Sequence, residues 1–529
     1  MKSILLVLLL ITAELPAATP GNKPERLEWF RDQGFGLFIH WSLDSQLGVV
    51  ISHSLAGASD DYVKRFFTEL PTTFNPRKFD PEDWAALAKL AGIRYVVFTA
   101  KHHSGFCMWN TRTTNFSILH TPFHRDITRA VLDAFRSQGI APGLYFSPDD
   151  FHWLWENGKT IDRRPELAPP ANPGLLALDQ AQVKELLTNY GPIDVMFFDG
   201  AAQGLREEAW QLQPNIVVTR GAMATPEQYV PGVPLEGPWE ANLTMGTAWQ
   251  YQPQNEVYKS GFKLISLLIE TRAKGGNLLL DVGPKPDGEL PIEQEERLRE
   301  IALWMFVNNE AIYDVRPWVI TNEGDIWFTR KKDTDTLYAA VEQTWPRGEW
   351  QEVVLHSVRA TPQTVAGVLG QNDRVLEYRT NIIPKTTWKQ EPDGLHIHVM
   401  RAQRLQDNSK WPNPVVLKIT HVEPALKPPI VETGKAVEQN GAVVLSANLR
   451  SLGDASSLQV DFEYRSLKGL DVNERSGAWQ STPLQTVSKT GPFSATVTGW
   501  TSGEPYEFRA VVKHPILTMY GEAKKVVLP

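Results

Sequence analysis

Asp199 closes the apolar run 195–200 (VMFFDG). A carboxylate that follows four apolar residues and precedes a glycine sits where a buried strand opens into a cavity. Ionised there, it can act as a nucleophile; its other use would be to cap the next helix. Glu240 lies in Pro238-Trp239-Glu240, ahead of Trp249 and Tyr251. Neighbours that hydrate poorly raise a carboxyl pKa, as a general acid near neutral pH requires. One ionised and one protonated carboxyl group form a pair suited to cleaving a glycosidic bond. Glu236, Asp149 and Asp150 are further acids open to the same role. His40, Tyr145 and Arg220, with the adjacent His102 and His103, also stand at the ends of apolar runs. Their chemistry suits hydrogen bonding to a hydroxyl-rich ligand. Neighbouring residues of a straight strand face opposite ways, so His102 and His103 are not expected to share a metal ion. No His-Glu-x-x-His spacing occurs, and neither a metal nor a cofactor is expected.

The elements that must hold these residues are legible. Strands are expected at 35–41 (FGLFIHW), 95–103 (YVVFTAKHH), 143–147, 195–200, 215–221 and 277–282. They are almost continuously apolar, as parallel strands covered on both faces should be. Helical patterns separate them at 81–91, 127–138, 178–190 and 262–274, and Gly92, Gly139 and Gly275 follow helices as stop signals. Repeated strand–helix units over some 280 residues predict a (β/α)8-type barrel, irregular because only six strands are clear, with 231–249 left to supply the rest. Active sites of such barrels form where the strands end.

The rhythm changes near 311–318. Alternating apolar and polar positions over 319–423 predict an antiparallel β-sandwich, and Pro424, Pro428 and Pro429 mark a linker. Turn-rich strands and the pair Trp500 and Tyr506 predict a fibronectin type III-like β-sandwich over 424–529. The first 18 residues read as a signal peptide: Lys2, a short apolar run, then Ala17 and Ala18. The expected layout is therefore a leader at 1–18, a catalytic barrel at 19–318 and two β modules, in a protein secreted or exported to the periplasm.

Composition narrows the functional classes. The 529 residues carry a net charge of −8, which argues against nucleic-acid or anionic-membrane partners. The leader's apolar run is far short of the roughly 20 residues a membrane span needs, and no other segment is long enough, so no membrane span is expected. One cysteine, Cys107, excludes an internal disulfide. The 18 Trp residues suit stacking on sugars, though most Trp residues fill cores. Asn115-Phe116-Ser117 and Asn242-Leu243-Thr244 match the glycosylation sequon and are read as chance.

An ordered series of motifs resembles the α-L-fucosidases of glycoside hydrolase family 29. The series comprises 35–41, Phe74-Asn75-Pro76, 84–89 (WAALAK) and 95–109 (YVVFTAKHHSGFCMW), then 143–147 and 195–200. Trp239-Glu240 with Trp249 and Tyr251, 274–288 (KGGNLLLDVGPKPDG) and 309–318 (NEAIYDVRPW) complete it. The resemblance implies a retaining exo-glycosidase that releases terminal α-L-fucose from an oligosaccharide or glycoconjugate. Asp199 would be its nucleophile and Glu240 its acid/base. It also implies sugar contacts from His40, His102, His103, Tyr145 and Arg220, with Phe197 and Trp249 in the same pocket. The sequence departs from the family pattern at Ser104, usually Asp, at Phe197, commonly Trp, and at Asp281, usually Asn. The usual Glu-Trp pair after the first strand is not evident, and Asp60-Asp61-Tyr62 stands in that region. A non-catalytic sugar-binding protein and an exo-glycosidase acting on L-galactose are the alternatives.

Overall fold

A computed structural model describes residues 21–254, 256–404, 413–468, 479–515 and 517–527. The expected leader at 1–18 lies outside them. Among the described residues, no helix is long and apolar enough to cross a membrane.

Seven parallel strands curl around a common axis. They are β1 (Phe35–Ile39), β2 (Tyr95–Lys101), β3 (Gly143–Phe146), β4 (Val195–Phe198), β5 (Val217–Val218), β6 (Glu240–Thr244) and β7 (Asn277–Val282). Their order across the sheet is β5-β4-β3-β2-β1-β7-β6. Every residue of these strands is buried, which explains why the runs read as apolar rather than alternating. Helices cover the outside, among them Pro81–Leu90, Ile127–Ser137, Pro173–Asn189 and Gly261–Ala273. Gly92 and Gly139, just past two of them, have φ of 81° and 70°, the left-handed geometry that ends a helix at low cost with glycine.

Inside the curl, Phe30, Phe38, Tyr95, Val97, Tyr145, Val195, Phe197, Val217 and Leu279 form an apolar plug. Gly36 makes part of it possible, because a Cβ there would lie 2.3 Å from the Tyr95 ring. The site is therefore an opening above a filled core, not the mouth of a pore.

Among the described residues the parallel sheet has seven strands, one more than the six clear in the sequence, and it is irregular as expected. The run 215–221 yields only the two residues of β5, and no regular strand joins β5 to β6. An irregular segment fills that place. Glu240 and Asn242 of β6 donate backbone hydrogen bonds to the carbonyls of Ala224 and Pro226 (3.1 and 2.9 Å), and Gln228 donates to Asn242 O (3.0 Å). Isolated parallel bridges link Ala224 to Trp239 and Glu227 to Asn242. Thr-Pro-Glu-Gln at 225–228 lacks the continuous apolar character of the other strands, so this edge is bridged rather than sheeted.

From Val315 onward the strands are antiparallel. One sheet has five strands (Val315–Glu323, Ile326–Lys331, Leu337–Val341, Val358–Val368 and Val415–Pro424), and a second has three (Trp350–Leu355, Thr387–Glu391 and Gly394–Met400). Between them pack Trp318, Phe328, Leu355, Ile397 and Leu417. A further pair of antiparallel sheets follows, built around Ala442–Ser451 and around Leu458–Ser466 with Pro505–Lys513. In it Trp500 and Tyr506 stack at 4.1 Å with 5° between their planes. Leu517 of this last part packs into the core of the preceding one.

Candidate active site

The strands deliver their last residues to one cavity of about 180 Å3, room for one sugar ring rather than a chain. Phe38, Phe197 and Trp249 supply apolar wall; His40, His53, His102, His103 and Tyr145 supply neutral polar groups; Asp199, Glu227, Arg163 and Arg220 supply charge. Asn242 completes the lining.

Asp199 follows β4 directly, its backbone N–H bonded to Phe146 O at the end of β3 (3.1 Å). Tyr145 donates its hydroxyl to Asp199 Oδ2 at 2.8 Å, and Arg220 Nη1 donates to Oδ1 at 3.0 Å. His103 Nε2 lies 3.4 Å from Oδ2 and Arg163 Nη2 lies 3.8 Å from Oδ1. Burial would raise the pKa of this carboxyl, but the two guanidinium groups and the Tyr145 hydroxyl outweigh it and hold Asp199 below the usual carboxylate range. The cavity thus contains one carboxylate kept ionised.

The imidazoles are kept neutral. Desolvation drives His40 down to about 3, and His102 and His103 well below their usual value. Each is held at Nδ1: His40 by Asp281 at 2.7 Å, His102 by Ser52 Oγ at 2.9 Å and His103 by Ser147 Oγ at 2.5 Å. Their Nε2 atoms are left for the cavity. His102 also stacks on Tyr145 at 5.3 Å, with 4° between the rings.

The alternation argument against joint action of His102 and His103 fails here because β2 stops at Lys101. Both rings line the cavity, 4.2 Å apart. With Asp199 they offer three ligand atoms within 4.8 Å of one another. Arg220 and Arg163 already neutralise Asp199 and would repel a cation, so geometry allows a metal ion there while the local charge opposes it.

Glu240 is not in the cavity. It is the first residue of β6, opposite Asn277, the first residue of β7. Its side chain is fully buried and accepts a 2.5 Å hydrogen bond from Tyr95 Oη. Asn242, two residues further along the strand and about 6–7 Å nearer the strand ends, reaches the cavity instead. Burial does push Glu240 up to about 7, partly offset by the Tyr95 hydrogen bond. The expected desolvation is real, but at the start of β6, outside the cavity lining. The expected role as acid/base is thus corrected by position.

The other acids considered are also engaged elsewhere. Asp149 pairs with Arg163 Nε at 2.7 Å. Asp150 caps the helix Phe151–Glu156 through Trp153 N (2.8 Å) and reaches Lys101 (3.3 Å). Glu236 is exposed, outside the cavity lining. Asn242, at 1% exposure, is also sealed from any glycosylation of the folded chain.

The carboxylate that does face Asp199 is Glu227, on the irregular segment beside β6. Arg220 bridges the two, with Nη1 on Asp199 at 3.0 Å and Nη2 on Glu227 Oε2 at 2.8 Å. Sequence reasoning also passed over His53 and Arg163, which come from loops after β1 and β3. Arg163 sits in a polar stretch, and the short apolar run Val49-Val50-Ile51 ahead of His53 forms no strand. Loops carry chemistry without periodicity.

Comparison with known proteins agrees with this geometry. Residues 16–310 match the alpha-L-fucosidase family. Plasma alpha-L-fucosidase of Rattus norvegicus is 27% identical over 435 residues, 72% of this chain and 89% of that protein. Alpha-L-fucosidase isoenzyme 1 from Paenibacillus thiaminolyticus superposes with a TM-score of 0.62 at 28% identity, covering 75% of this chain and 99% of its own. A covalent intermediate of a GH29 alpha-L-fucosidase from Bacteroides thetaiotaomicron has the same fold, with a TM-score of 0.60 at 22% identity over 78% of this chain and 100% of that one. With a family match spanning the parallel-stranded part and a neutral-imidazole cavity around one ionised carboxylate, the chain belongs to the α-L-fucosidase family of glycoside hydrolases.

Proposed function

We propose that this protein hydrolyses terminal α-L-fucose from glycans with retention of configuration, using Asp199 as nucleophile and Glu227 as acid/base. The observation that carries the assignment is the single guanidinium of Arg220 joined to both carboxyl groups. Both carboxyl groups line the one cavity, as a pair flanking a scissile glycosidic bond must. In the first step Asp199 attacks the anomeric carbon while Glu227 protonates the departing oxygen. In the second, Glu227 takes a proton from water, which cleaves the fucosyl ester. The apolar wall of Phe38, Phe197 and Trp249 suits a sugar that carries a methyl group in place of a hydroxymethyl. The parallel-stranded part is read as an irregular (β/α)8 barrel with segment 224–228 in place of one strand, and the last part as fibronectin type III-like. Export from the cytoplasm is proposed from the leader sequence.

The test is turnover of an aryl α-L-fucoside with azide added. Asp199→Gly should be inactive until azide attacks directly, giving the inverted β-L-fucosyl azide. Glu227→Ala should form the ester with an activated leaving group and give the retained α-L-fucosyl azide. Unchanged hydrolysis by either variant would remove that residue from the proposal.

A further inference from the structure

Asp281 plays no part in the chemistry above, yet it is a carboxyl group at 1% exposure, one ring away from the ligand. It is the penultimate residue of β7, next to the strand that delivers His40, and its Oδ1 lies 2.7 Å from His40 Nδ1. His40 is itself 3% exposed, and its backbone N–H bonds to Val282 O at 3.0 Å. With Nδ1 committed to Asp281, Nε2 is the polar atom that His40 turns to the cavity.

We propose that His40 and Asp281 form a shared-proton pair of zero net charge, which fixes His40 Nε2–H as a hydrogen-bond donor to the sugar. Counting protons gives the reason. A pair of zero charge holds two protons over three sites. One lies in the Oδ1···Nδ1 contact, on either atom, and the second must then be on Nε2. A pair of charge −1 holds one proton, between Oδ1 and Nδ1, and leaves Nε2 as a bare acceptor. Burying that uncompensated anion is costly, whereas the neutral pair buries no net charge. The desolvation that lowers His40 and raises Asp281 acts in this direction for both partners. The surrounding charges do not override it. Glu256 opposes ionisation of Asp281 while Lys259 favours it, and Asp199 and Arg220 act on His40 with opposite signs. His102, whose ring is 5.8 Å away, is neutral. The sugar oxygen seated against His40 is therefore an acceptor. The Ser52 hydroxyl, which holds His102, can turn to donate or accept and imposes no such choice, whereas Ser147 already donates to Asp149 O at 2.9 Å and so accepts from His103 Nδ1. An amide at position 281 could likewise serve either tautomer, so Asp281, a departure from the family pattern, makes the difference.

This inference rests on the sugar-binding reading of the cavity, but its test does not. The full-length protein, labelled with 15N in histidine and free of ligand, is observed at neutral pH, with His40 identified by the resonance lost in His40→Gln. A proton on Nε2 in the parent protein is the expected result, and a bare Nε2 with the proton on Nδ1 overturns the proposal. Asp281→Asn adds a second readout in the aryl fucoside assay. In the parent, KM should rise about ten-fold on the alkaline side as the pair loses its proton and Nε2–H with it. The variant should lack that limb at similar kcat, and an alkaline limb identical in both would count against the pair. Absence of all turnover with a protonated Nε2 would refute the fucosidase reading and leave the proton assignment standing.

Discussion

Tyr145 donates its hydroxyl to Asp199 across 2.8 Å, from the strand next to the one that leads into Asp199. The register explains the contact. Tyr145 pairs with Phe197, and Asp199 lies two residues further on, facing the same side. Parallel pairing thus delivers a phenol to a carboxylate without help from a loop. In Tyr145→Phe that donor is lost. A hydrogen bond to a charged group is worth about 1.5–3 kcal/mol, so kcat/KM should fall roughly 10- to 100-fold. The bond lowers the Asp199 pKa, so its loss should move the acid limb of the pH–rate profile to higher pH. A profile unmoved on the acid side would mean that Asp199 is not the group titrating there.

Arg220→Lys should do more harm than its preserved charge suggests. A lysine cannot reach Asp199 and Glu227 with two nitrogens of one planar group, nor cover the Phe197 ring as the guanidinium does at 4.7 Å. The expected outcome is a loss of at least about 100-fold in kcat/KM, with the acid limb again shifted upward and the melting temperature little changed.

Glu240→Gln should keep its activity. Its effect belongs to stability, and the sign follows from burial. Because the folded-state pKa is raised to about 7 from 4.5, the folded protein binds more protons than the unfolded chain between those values. Stability from this group is therefore greatest at low pH and is lost as pH climbs through that window, by roughly 3 kcal/mol at full ionisation. The variant should show a flatter dependence of melting temperature on pH between about 5 and 7. Loss of catalysis in a folded Glu240→Gln protein would restore the assignment that the geometry removes.

These two glutamates show how far the sequence could be read. The apolar runs announced the parallel strands, and their ends announced His40, His102, His103, Tyr145 and Asp199, because a strand covered on both faces leaves polar side chains only where it stops. Trp239 and Pro238 correctly indicated a dry setting for Glu240. They could not indicate which end of the strands was dry, because β6 begins at Glu240 itself and no pattern within 231–249 marks its bounds. Glu227 was hidden for the converse reason. Its segment joins β6 through isolated bridges and carries no periodic pattern. His102 and His103 were held apart by a rule for straight strands, but β2 ends one residue before them.

Beneath the cavity Lys101 is fully buried, with Nζ 2.7 Å from Asp179, 3.3 Å from Asp150 and 2.8 Å from Gln182 Oε1. Burial disfavours its charge, but the two carboxylates outweigh it and keep the ammonium protonated. Lys101→Met would leave two acids facing each other without a cation. A loss of about 3–5 kcal/mol is expected by chemical denaturation, and adding Asp179→Leu should recover part of it. If Lys101→Met unfolds like the parent, the cluster contributes nothing to stability.

The most direct measurement is to identify the residue that carries the sugar. The protein is incubated with 2-deoxy-2-fluoro-L-fucosyl fluoride, digested and mapped by mass spectrometry. One fucosyl ester is expected, on Asp199, accumulating further in Glu227→Gln. A label on any other residue, or steady hydrolysis of the aryl fucoside by a protein whose Asp199 is never modified, would contradict it.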